Sequence, residues 1–227
     1  MEKIAEKLRE ILIENGAVAV GYADMSDIVE GELKTGISVL RPMPPEMIRG
    51  IEQAVTAEYR QWYIDTNNIL DKAIKAGGEY LRSLGYETKE YTTDKVVRDE
   101  NNCTELPLKS IAVRAGLGWI GKSAVLVTPE YGGALRLSGM LTNAPLPVAE
   151  PVFESHCGGC TKCMDVCPAK AITGTKWEKG MEREALVDQA ACAKSSLERC
   201  RAAIGVDMTI CGKCFVFCPY TRKYLKG

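Results

Sequence analysis

Histidine occurs once in the 227 residues, at His156, and the chain is nearly free of net charge at −1. A metal or haem site built on imidazole therefore has a single candidate. Charge is divided mildly along the chain: 17 basic and 21 acidic residues run through Ala149, 12 and 9 after it. Neither half has the basic surplus of a nucleic-acid binder. No apolar run approaches the roughly 20 residues that span a bilayer. The start, Met-Glu-Lys-Ile-Ala-Glu, has neither a signal h-region nor a twin arginine, so a cytoplasmic protein without membrane contact is expected.

Cysteine is abundant, with ten residues, and it is patterned. Cys157, Cys160, Cys163 and Cys167-Pro168 form the bacterial ferredoxin run, and Cys211, Cys214 and Cys218-Pro219 repeat its ending. A 4Fe–4S cubane needs three thiolates converging from one tight loop and a fourth from elsewhere. In two-cluster ferredoxins the cysteine before proline ligates the other cluster. The first centre is therefore expected to use Cys157, Cys160, Cys163 and Cys218, and the second Cys167, Cys211, Cys214 and one more. The eighth ligand is Cys192 or Cys200, and eight residues on a helix is a little over two turns, so facing alone leaves both open. Structural zinc also uses paired C-x2-C units, but it has no need of a Cys-Pro run at this spacing. A disulfide framework does not suit a chain of this length with 46% hydrophobic content.

The cysteines fill only the last third, so the expected organisation is a domain at 1–147 and another at 148–227, with Pro145 and Pro147 at the boundary. In the first, Ile4, Leu8, Ile11 and Leu12 recur at helical spacing, and strands are expected at 17–22 and 36–40. A long helix is expected over 56–84, with a break at Gly77-Gly78, then an edge strand at 86–91 and a polar turn over 94–106. Pro107 suits the start of a helix through Ala115. Residues 124–128 and 134–141 read as a hairpin pair, and 182–203 as a helix. The fold class is α+β.

Gly116-Leu-Gly-Trp-Ile-Gly121-Lys122-Ser123 satisfies both G-x-G-x-x-G and G-x-x-x-x-G-K-S/T. Both motifs bind phosphate only where a strand enters the loop and a helix leaves it. Here the helix comes first, so a nucleotide site is not expected. A glycine C-cap and tight turn is the plain alternative, and a glycine-lined surface for another cofactor is a third.

Ala115-Gly-Leu-Gly-Trp-Ile-Gly-Lys122, Leu126-Val-Thr-Pro-Glu-Tyr-Gly132, Leu137, Leu141-Thr142 and the two Cys-Pro runs resemble the epoxyqueuosine reductase family, whose wider relatives are the corrinoid-dependent reductive dehalogenases. The resemblance runs from about Leu106 to Tyr220. It implies an N-terminal nitroreductase-like α/β domain that holds cobalamin, or less favourably FMN, followed by a two-cluster ferredoxin-like domain. It also implies Cys192 as the eighth ligand, and Gly116, Gly118, Trp119, Gly121, Lys122 and Arg136 as cofactor-binding candidates. With one histidine in the chain, a corrin would be held without a protein imidazole. The family carries an Asp-Ser-x-Pro segment with a proton-donating aspartate. This chain has Asn101-Asn102-Cys103-Thr104-Glu105-Leu106-Pro107 there, leaving Glu105, Cys103 and Asp99 as weak candidates. The helical repeats with which longer members grip tRNA are not expected, and queuosine-tRNA chemistry is not favoured.

The resulting expectation is an iron–sulfur oxidoreductase of an anaerobic cytoplasm. Two 4Fe–4S clusters would pass electrons from a donor such as ferredoxin or flavodoxin to a cofactor or small-molecule substrate. The alternatives are a non-enzymatic carrier or reductive activator of a corrinoid partner protein, and a redox sensor. Tyr59, Trp62 and Tyr63 share one helix, where packing is a more common fate than lining a pocket.

Overall fold

The computed structural model describes residues 2–97 and 104–227. Its elements in order are α1 (Glu2–Glu14), β1 (Ala19–Asp24), β2 (Thr35–Pro42), α2 (Pro45–Gly50), α3 (Ala57–Ser83), β3 (Thr88–Glu90), α4 (Leu108–Arg114), β4 (Trp119–Ile120), β5 (Leu126–Val127), β6 (Leu135–Thr142), α5 (Lys162–Asp165), a 3-10 turn (Arg183–Ala185), α6 (Gln189–Ile204), α7 (Lys213–Val216) and α8 (Pro219–Tyr224). The architecture is mixed helix and sheet. No helix among the described residues is long and apolar enough to cross a membrane.

The chain forms two compact units that interleave in sequence. One holds Met1–Arg41, Asp65–Leu117 and Arg136–Val152; the other holds Pro42–Ile64, Gly118–Leu135 and Phe153–Gly227. The linear division at 147/148 is corrected accordingly. The reason is packing: the apolar core of the cysteine-bearing segments is shared with residues earlier in the chain. Their core is completed by Met43, Ile48, Ile51, Tyr59 and Ala134, which join Cys200, Ile210 and Val216.

In the first unit a four-stranded sheet has the order β1-β2-β6-β3, with β1 antiparallel to β2 (Tyr22 opposite Ile37) and β3 antiparallel to β6. Its strands bury Val20, Ile37, Val39 and Met140 against Leu8 and Leu12 of α1 and Leu70 and Ile74 of α3. The α3 helix runs through Gly77 without the expected break. A Cβ at Gly77 would meet Leu12 Cδ2 at 2.9 Å and Met140 Cε at 3.0 Å, so this glycine serves close packing rather than a turn. Residues 124–128 and 134–141 do not form a hairpin with each other. Instead β5 pairs with β4, Trp119 opposite Val127, and β6 joins the larger sheet. The expected helix over 182–203 begins late, because Asp188 caps α6 by accepting from Ala191 N–H at 2.9 Å, and Gly205 ends it at φ 68°.

At the β3 edge, Glu90 is buried with its side chain only 6% exposed. Burial by itself would raise its pKa, but Lys95 at 2.8 Å, Arg82 and Thr88 outweigh it and hold the carboxyl at about 2, against 4.5 ordinarily. The depressed folded-state value means that Glu90 stabilises the fold fully above pH 4.5 and that this contribution is lost as pH falls toward 2, a term on the order of 2 kcal/mol. Hydrogen exchange of the β6 amides is expected to show a stability gap between wild type and Glu90→Gln at pH 6 that closes by about pH 2. An equal gap at both values would show that the carboxylate charge is not what matters.

Candidate metal centre

The first cysteine run is a loop tightened by backbone bonds, Cys160 N–H to Cys157 C=O at 3.1 Å and Cys167 N–H to Met164 C=O at 3.2 Å, with Gly158 at φ 53°. Only glycine takes that left-handed conformation without strain. Each run then ends on proline. Cys218 caps α8, whose first residue Pro219 has no N–H to leave unpaired, and Gly212 at φ 84° turns the second run into α7.

The thiols fall into two groups. Cys163 is flanked electrostatically by Cys157, Cys160 and Cys218. Cys192 is flanked by Cys167 and Cys211. Cys214 borders the first cavity and is also acted on by Cys211 and Cys192, so it lies between the two groups. Cys200 joins neither. It is fully buried among the apolar side chains of the second unit, on the same helix as Cys192 but ~12 Å further along its axis.

The nine described cysteines are all free thiols. Burial, then the neighbouring sulfurs, pushes Cys163 up to about 11 and Cys214 up to about 12. Thiols so crowded resist ionising together unless positive charge enters among them, which is what iron supplies. Cys157, Cys160, Cys163 and Cys218 line a cavity of about 40 Å³, roughly three times the space one water needs. Among the described residues no group of three His, Cys, Asp or Glu is gathered tightly enough for a single ion. Four cysteines bordering one cavity are a donor set that fits a cubane.

The glycine loop forms one wall of this cavity. Gly118 is pressed against β5, where a Cβ would meet Val127 O at 2.2 Å, and a Cβ at Gly121 would meet Val127 Cγ2 at 2.9 Å and Cys157 Sγ at 3.6 Å. Lys122 is buried and donates to Cys160 C=O at 3.0 Å. Trp119 is 2% exposed, with ring contacts to His156 at 4.7 Å and Tyr220 at 4.8 Å, and its Nε1–H has no hydrogen-bond partner among the described residues. His156 thus lies against a tryptophan beside Cys157.

The remaining candidates are placed elsewhere. Gly116 and Arg136 belong to the other unit, Gly116 at φ 70° and Arg136 donating to Asn67 Oδ1 at 3.0 Å. The six cofactor candidates are thus divided between the two units. Glu105 is exposed and ion-paired with Lys89 at 2.8 Å, and Asp99 and Cys103 lie outside the described residues. Tyr59 packs into the apolar core with Trp62 and Tyr63 against it. Sequence reasoning missed Phe215 and Tyr220, which line the cavity, and Thr221, whose hydroxyl accepts from Gly133 N–H at 3.1 Å. The signal for Thr221 was Gly132-Gly133: a Cβ at Gly132 would overlap the Thr221 backbone.

Comparison with known proteins accounts for this arrangement. Residues 156–221 match the family described as a 4Fe-4S double cluster binding domain. Epoxyqueuosine reductase of Bacillus cereus is 36% identical over 63% of this chain and 37% of its own length, and that of Lactococcus garvieae 35% identical over 75% and 48%. The chain is a homologue of the epoxyqueuosine reductases. It spans less than half the length of these two curated relatives. The likeness extends at 25% identity to 98% of the chain against the Escherichia coli enzyme, of which it covers 66%. The fold is shared with a solved epoxyqueuosine reductase bound to a modified tRNA stem loop (TM-score 0.62, 20% identity, 97% of this chain and 66% of that one). It is shared also with a catabolic reductive dehalogenase (TM-score 0.72, 18% identity, 97% and 33%).

Proposed function

We propose that this epoxyqueuosine reductase homologue is a cytoplasmic, anaerobic iron–sulfur reductase that holds two 4Fe–4S clusters. Cys157, Cys160, Cys163 and Cys218 would hold one, and Cys167, Cys192, Cys211 and Cys214 the other. The observation that carries the reading is the one cavity that Cys157, Cys160, Cys163 and Cys218 line together, the last drawn from the second run, with Cys200 apart among apolar side chains. When bound, the clusters supply one-electron transfer at potentials set by burial, charge and hydrogen bonds to sulfur. The chain's own part is to hold the thiols, to exclude water with the Gly121-Lys122-Ser123 wall, Phe215 and Tyr220, and to neutralise charge.

The acceptor is proposed to be cobalamin on a nitroreductase-like first unit, with a small-molecule substrate and a ferredoxin or flavodoxin as donor. Kinship with a fold that includes a B12-dependent dehalogenase supports this. Four of the residues expected to cradle it, Gly118, Trp119, Gly121 and Lys122, lie instead in the unit of the thiols. Titration of cobalamin into the anaerobic holoprotein is expected to produce a base-off spectrum, because no histidine is available beyond His156. If no spectral change and no affinity are found, the acceptor lies on another protein, and the chain is an electron-transfer partner of a corrinoid protein.

A further inference from the structure

Lysine is among the residues least often buried without a partner, because its ammonium loses hydration that an apolar wall does not replace. Lys122 is 7% exposed and lines the cavity of Cys157, Cys160, Cys163 and Cys218. Its Nζ–H donates to the carbonyl of Cys160 at 3.0 Å, and among the described residues no carboxylate lies within ion-pair distance of it. A buried positive charge without a counter-ion, placed on the wall of a thiol-lined cavity, has the cavity's contents as its partner.

We propose that Lys122 sets the reduction potential of the centre held by Cys157, Cys160, Cys163 and Cys218, an inference that rests on the two-cluster reading. Reduction adds one electron to that centre and makes it one unit more negative, with no bond made or broken. A fixed cation across a low-dielectric wall stabilises the reduced state more than the oxidised one, and so raises the potential. The exposed charges nearby, Lys162 and Asp165, are screened by solvent.

The charged groups acting on Cys192 include Asp188 and Arg183, of opposite sign, and Arg183 also meets Glu184 at 3.6 Å.

The test is a redox titration of anaerobic holoprotein followed by electron paramagnetic resonance, with iron counted in every sample. The Cys192→Ser variant identifies which signal belongs to the first centre. Lys122→Gln keeps a donor for the Cys160 carbonyl and removes the charge, Lys122→Met removes both, and Lys122→Arg keeps the charge. In Lys122→Gln the reduced-to-oxidised ratio of the first centre at a fixed poise is expected to fall about tenfold or more, ~59 mV for one electron. The second centre and Lys122→Arg should each stay within about threefold of wild type. Lys122→Met should repeat the Lys122→Gln result if Lys122→Gln does not hold iron. A neutral variant with both clusters intact and wild-type potentials overturns the inference, as does an equal shift at both centres. A wild type without clusters overturns the two-cluster reading itself.

Discussion

Cys192→Ser is expected to cost the protein a cluster and Cys200→Ser is not. The two cysteines share α6, eight residues apart, and a reading of spacing leaves them equivalent. Their surroundings separate them. Cys192 sits in the first turn of α6, its N–H donating to Asp188 C=O at 3.0 Å, with Cys167 and Cys211 near its sulfur. Cys200, ~12 Å along the axis, belongs to the apolar core of its unit and is 0% exposed. Iron analysis on the first variant should fall from about eight per chain by one, where a three-iron centre remains, to four, where the cubane is lost. The second should keep its iron and lose about 1–3 kcal/mol of stability, because a serine hydroxyl there is buried without a partner. Iron loss at position 200, or at neither position, would mean that the ligand set is misassigned.

Removing iron is expected to unfold the cysteine-bearing segments and to leave the sheet of the first unit standing. Residues 153–187 contain one helix of four residues, α5, and a single 3-10 turn. A helix of that length does not hold itself together in water. The buried apolar residues there are few: Cys167, Ala171, Ile172, Leu186 and Val187. The metal and its thiolates thus supply much of what a hydrophobic core supplies elsewhere, and binding energy becomes folding energy. After anaerobic chelation, amide exchange at 157–170 should quicken by about 10³ or more, while β1, β2 and β6 change by less than about twofold. Unchanged protection at 157–170 would show that packing alone arranges the thiols.

The cluster cysteines were legible in the sequence because a cubane imposes its ligand spacing locally, within one loop. Strands β1, β2 and β6 were legible as short β-capable runs, and each carries at least four consecutive buried residues. What escaped depended on partners distant in sequence. Gly77 reads as a helix breaker until Leu12 and Met140 are seen against it, and the two-residue strand β4 is too short to show a period. The split at 147/148 failed because residues 42–64 and 118–135 lend their apolar side chains to the cysteine segments, and no composition shift marks such a loan. The glycine loop is preceded by α4 and followed by β4 and β5, the helix-first order read from the sequence. Its place beside Cys157 was visible only in three dimensions.

The central claim is that these thiols hold two cubanes, and metal analysis of anaerobically purified protein combined with Mössbauer spectroscopy tests it most directly. The account predicts about eight irons and about eight acid-labile sulfides per chain, all in cubane environments. Stoichiometric zinc without iron, or iron without labile sulfide, would contradict it.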